Sequence, residues 1–131
     1  MAEQENVQQA KDAYAEFTRG DIPAVLDSMT DDVEWVISPG SPLGGTFRGK
    51  AQVGEWFKRL GGEVEYTTFE PAEFIAQGDK VVVLVHLAGT GRATAKKFVD
   101  DVAHVLTYRG GKLAHFRAYT DTATEGEALR K

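Results

Sequence analysis

At Glu63 the spacing of apolar residues changes period, and that change dictates the fold class. Before it, Val7, Ala10, Tyr14 and Phe17 recur at helical intervals, and so do Val53, Trp56, Phe57 and Leu60. After it, runs at about 64–76, 81–89, 97–108 and 113–121 read as strands. Gln77-Gly78-Asp79 and Arg109-Gly110-Gly111 are compact hairpin turns, and the connection over 89–96 is longer and polar. Helices first and an antiparallel meander afterwards predict an α+β domain with helices covering one face of a sheet.

The remaining punctuation fits that plan. Arg19-Gly20-Asp21 ends the first helix and caps a second, which carries Pro23 near its start and buries Val25, Leu26 and Met29. Thr30-Asp31-Asp32 is a break, and Val33, Trp35 and Ile37 then alternate as one side of a half-buried strand. The glycines and prolines over 38–49 predict a loop, either plain turns or a mobile lid. The tail over 122–131 reads as a weak amphipathic helix or a frayed, charged end.

Composition narrows the function. The 131 residues suit one domain over 1–131. Cysteine is absent, which removes disulfides, thiol nucleophiles and thiolate metal clusters. A net charge of −5 argues against a nucleic-acid partner. The longest apolar run, Val81 to Val85, is too short to cross a membrane, and Met1 to Gln9 lacks a signal peptide's apolar stretch, so a cytoplasmic protein is expected.

Several phrases then carry a resemblance. Gly20-Asp21 with Asp31-Asp32-Val33-Glu34-Trp35, Phe47-Arg48-Gly49 before the Trp56-Phe57 helix, Ala103-His104-Val105-Leu106, and Phe116-Arg117-Ala118-Tyr119-Thr120-Asp121 together span nearly the whole chain. In these the sequence resembles the SnoaL-like, ketosteroid-isomerase-related branch of the nuclear transport factor 2-like superfamily. The resemblance implies a cone: a curved antiparallel β-sheet wrapped around three helices from the N-terminal half, with an apolar pocket between them. That branch holds isomerases, polyketide cyclases, dehydratases, epoxide hydrolases and noncatalytic binding proteins, and fold alone does not choose among them.

Position by position, the isomerase's general base falls on Ile37 and its helix tyrosine on Ala13. Tyr14 stands one residue further on, an offset that turns a side chain by about 100° on a helix. The isomerase's neutral aspartic acid, known for donating a hydrogen bond, falls on His104. The acid/base aspartate of the cyclase and epoxide-hydrolase relatives falls on Ala118. Steroid-type isomerisation is therefore not expected.

The last hairpin decides what His104 sees, because side chains alternate along a strand. A two-residue Gly110-Gly111 loop sets His104 opposite Arg117, with Tyr119 and Asp121 on the same face. A three-residue loop ending in a glycine bulge sets it opposite Phe116, with Ala118 and Thr120. Glycine before Lys112 favours the second, which leaves an apolar pocket holding one histidine.

His104 is accordingly the catalytic candidate, since histidine titrates nearest neutrality. Its bland alternative is a core histidine satisfied by backbone or tyrosine. Tyr14, Phe17, Trp35, Ile37, Trp56, Phe57, Val102, Leu106, Phe116 and Ala118 are the expected ligand-binding wall. His115 has the opposite phase to His104, and His86 lies on a third strand whose register the loop leaves open, so a metal site is not expected, and no cofactor motif is present. Arg92, Lys96 and Lys97 read as a solvated turn. The expected protein is a pocket for a small apolar organic ligand. It is either a cofactor-independent isomerase, lyase or hydrolase of a small hydrophobic metabolite, with His104 as acid/base or hydrogen-bond donor, or a noncatalytic binding module. A homodimer is expected through the convex sheet face, using Val105, Thr107, Leu113 and Tyr119 with Arg117.

Overall fold

The computed structural model describes residues 2–131. Helix α1 (Ala2–Thr18) buries Ala10 and Tyr14 from its apolar stripe, and the short α2 (Ile22–Asp27) is capped by the Asp21 carboxylate, which accepts from Ala24 N–H at 3.2 Å. Strands β1 (Met29–Ile37) and β2 (Gly45–Arg48) precede α3 (Gly49–Glu63). The chain then runs through β3 (Val64–Gln77), β4 (Lys80–Gly91), β5 (Lys97–Arg109), β6 (Lys112–Tyr119) and α4 (Thr122–Leu129).

The strands form a curled open sheet in the order β2-β1-β6-β5-β4-β3. Every pairing is antiparallel except β1 with β6, which is parallel, so the sheet is mixed rather than a pure meander. A strand returns parallel to an earlier one only through a long connection, and here the whole β2–β5 stretch serves.

Two element boundaries differ from expectation. Met29 begins β1 instead of ending α2, and Thr30-Asp31-Asp32 lie inside that strand, where its register against β6 shifts between Met29 and Glu34. The glycine-rich stretch, expected as a loop, contains the four-residue strand β2, whose residues alternate between half-buried and exposed. Of the two readings of the tail, the helix is the one observed, because Asp121 accepts from Thr124 N–H at 3.0 Å and caps α4.

The last hairpin has a third geometry. Arg109 pairs with Lys112 across Gly110 and Gly111, both at positive φ, so the turn holds two residues and not three. A bulge follows: Tyr108 pairs with Leu113 but Thr107 pairs with His115, leaving Ala114 as the extra residue. Beyond it His104 stands opposite Ala118 and Leu106 opposite Phe116. The face expected for His104 is the one observed, reached by a different device. The bulge also turns Leu113 inward, where it is buried, so Leu113 does not belong to the convex face.

On the concave side β4 and β5 contribute Val81, Val83, Val85, Leu87, Val102, His104 and Leu106 to one buried layer under the helices. On the convex side Tyr119 and Val99 are more than half exposed.

Candidate functional site

Between the helices and the concave sheet lies a cavity of about 110 Å³ with an almost wholly apolar wall. Of the expected wall residues, Tyr14, Phe17, Trp35, Ile37, Trp56, Phe57, Leu106, Phe116 and Ala118 line it, as does His104. Val102 does not: it shares the His104 face but packs into the buried core away from the cavity. Trp35 stacks on its parallel-strand neighbour Phe116 with ring centroids 3.8 Å apart. The Phe116 ring is in turn 4.8 Å from that of His104. The histidine therefore sits in an aromatic surround.

Its partner is Tyr14, whose hydroxyl lies 2.6 Å from His104 Nδ1. The one-residue offset on α1 does not remove the tyrosine from the cavity: Ala13 and Tyr14 both line it. The proton positions follow from counting. If Nδ1–H donated, both the tyrosine O–H and the Nε2 lone pair would be left unpaired in an apolar surround. If Tyr14 O–H donates, only Nε2–H is left, and phenol is the stronger donor of the two. Tyr14 therefore donates to Nδ1, and Nε2 carries the hydrogen that His104 presents to the cavity.

Burial fixes the charge state. Loss of water pushes the imidazole down to about 3, so His104 is neutral at physiological pH. Burial likewise drives the Tyr14 hydroxyl well above its ordinary range, with a smaller push from Tyr108. This pair is a fixed dipole more than a proton exchanger.

The other histidines point away. His86 meets Asp101 at 2.7 Å and His115 meets Glu34 at 3.1 Å, both on the convex side. Among the described residues no cluster of His, Cys, Asp and Glu could hold a metal ion.

The stretch 38–44 closes part of the wall and is pinned rather than free. Ser38 Oγ donates to Ala118 O at 2.8 Å, Leu43 is buried, and Trp56 Nε1 donates to Leu43 O at 3.0 Å. Ser41 Oγ donates to Glu125 Oε1 at 2.7 Å. Glu125 itself lines the cavity from α4, although the sequence reading left it in a charged tail. Burial raises its carboxyl above the ordinary range, the Ser41 bond opposes this, and Asp100 adds to it. The signal that finds Glu125 is Asp121 as a helix cap, which sets Glu125 one turn inside the helix with Ala128 buried beyond it.

The site is thus a curled α+β sheet closed by helices over an aromatic cavity with one histidine–tyrosine pair. The comparisons give the family. A family model described as a SnoaL-like domain matches residues 10–116, and the chain belongs to that SnoaL-like family. An NTF2-like protein from Burkholderia xenovorans LB400 is 37% identical over 97% of each chain, with a TM-score of 0.89. One from Burkholderia thailandensis E264 is 34% identical over 96% of this chain and 98% of its own, with a TM-score of 0.90. TerC, co-crystallised with polyporic acid, is 32% identical over 97% and 99%, with a TM-score of 0.85. No curated protein matches the chain.

Proposed function

We propose that the chain is a cofactor-independent enzyme of the isomerase, lyase or hydrolase type, acting on a small, mostly apolar carbonyl compound. In this reading His104 is an electrophile: its Nε2–H donates to the substrate carbonyl and to the negative charge that develops there. The carrying observation is the Tyr14–His104 bond inside an apolar cavity. A histidine held neutral near 3 is a poor base at pH 7, while its N–H in a dry site is an effective partner for an oxyanion. Crystallisation of TerC with polyporic acid supports a small organic ligand for this chain too. The size of the cavity favours a single ring, since a dry cavity of roughly 150 Å³ accepts benzene.

Acetophenone and ethylbenzene differ by the carbonyl alone, and Trp35 and Trp56 in the wall report occupancy by fluorescence. Acetophenone should bind roughly tenfold more tightly, the worth of one good hydrogen bond. The double variant Tyr14→Phe/His104→Phe removes both hydrogen-bonding partners together, so it leaves no buried polar group orphaned, and it should erase the difference. Equal affinities in the unmodified protein would sink the electrophile. The noncatalytic alternative draws on Ile37 and Ala118, two wall positions with no ionisable group. It gains if the carbonyl preference is found without deuterium exchange from solvent into the acetophenone methyl group.

The convex face fits a second copy of the chain. Val105 and Tyr119 lie there beside Arg117, whose guanidinium sits 4.9 Å over the Tyr119 ring and whose Nε is buried without a partner. Sedimentation at micromolar concentration should give a dimer, and Tyr119→Glu should shift it to monomer. A monomer in the unmodified protein removes this interface.

A further inference from the structure

Besides the Tyr14–His104 pair, a carboxylate lines the cavity. Glu125 reaches it from the first turn of α4. Its Oε1 is held by the Ser41 hydroxyl at 2.7 Å and, more loosely, by Thr120 Oγ1 at 3.4 Å. Its Oε2 has no protein donor among the described residues, and neither Lys nor Arg is paired with it. Asp100 lies near but is occupied, accepting Asp121 N–H at 3.1 Å. His104 supplies the independent observation: it is more than nine-tenths buried, and its Nε2 has no acceptor.

We propose that Glu125 is a specificity-determining residue of this cavity, accepting a hydrogen bond from a hydroxyl or amine on the ligand whose carbonyl is held by His104. The ligand class is thereby a monocyclic aryl carbonyl compound that also carries a hydrogen-bond donor. This rests on the His104 reading for one pole only. Ser41 and Thr120 position the carboxylate, and the low polarity of the wall makes an unpaired donor there costly.

The test adds 4-hydroxyacetophenone to acetophenone and ethylbenzene in the fluorescence titration at pH 8, and uses Glu125→Ala with Glu125→Gln as the conservative partner. The hydroxyl should raise affinity about tenfold in the unmodified protein. Glu125→Ala should abolish that gain, so that 4-hydroxyacetophenone binds the variant no better than acetophenone does. Glu125→Gln should retain part of the gain. A hydroxyl gain that survives Glu125→Ala overturns the assignment, as does the absence of any gain in the unmodified protein. A gain that depends on Glu125 while acetophenone binds no better than ethylbenzene supports this pole and overturns the electrophile instead. If none of the three probes binds, both fall.

Discussion

Lowering the pH from 6.5 to 5 should cost the folded protein roughly 2 kcal/mol through His104 alone, at 1.36 kcal/mol per unit for one proton taken up only on unfolding. The imidazole titrates near 6.5 in the unfolded chain but is held down to about 3 in the fold. Between those values the unfolded state binds the extra proton, so stability is full above 6.5 and falls as pH drops toward 3. The buried carboxyls of Glu125 and Asp100 act in the opposite sense: both are raised by burial, so the fold takes up their protons first and gains stability as pH falls through their range. Urea unfolding of the protein and of His104→Gln at both pH values separates these contributions, because the carboxyls are common to both. The unmodified protein should lose stability more steeply than the variant. Parallel losses would mean that His104 is not sealed from water.

The second large effect is steric. An alanine at Gly44 would drive its Cβ into the Ser38 carbonyl oxygen and to 2.9 Å from that of Ser41, both backbone atoms that cannot swing aside. Gly44→Ala should therefore cost about 2–3 kcal/mol, the range for forced overpacking. It should also loosen the cavity, since the displaced stretch carries Leu43, the acceptor for Trp56 Nε1, and the Ser41 hydroxyl bound to Glu125. Gly61→Ala is the matched control: nothing lies within 4 Å of a Cβ there, inside α3. It should stabilise by about 0.5–1 kcal/mol through helix propensity. Thermal unfolding reads both signs, and a harmless Gly44→Ala would show that the stretch is not pinned.

What the sequence made legible follows from periodicity. The apolar stripe of α1, the Trp56-Phe57 face of α3 and the inward set of β5 each repeat within a few residues, so each wall of the cavity could be placed before the walls were assembled. The join between walls could not. Tyr14 and His104 are 90 positions apart, and no local pattern announces that bond. The parallel seating of β1 on β6 is equally nonlocal, and it brings Trp35 onto Phe116. Glu125 was hidden for a different reason: charged residues near a chain end look solvated unless the cap at Asp121 is read as the start of a helix that turns back over the sheet.

The extra residue in β6 has a meaning beyond local geometry. Counted directly from the Gly110-Gly111 turn, His104 would stand opposite Arg117, and the interior would hold guanidinium and phenol. Counted past Ala114, it stands opposite Ala118. Two interiors, one ionic and one oily, are thus encoded in the same eight residues, and a single unpaired alanine selects between them. In a family built on this hairpin, chemistry can change by insertion or deletion of one codon, with every side chain of the old site retained and merely turned to the other side.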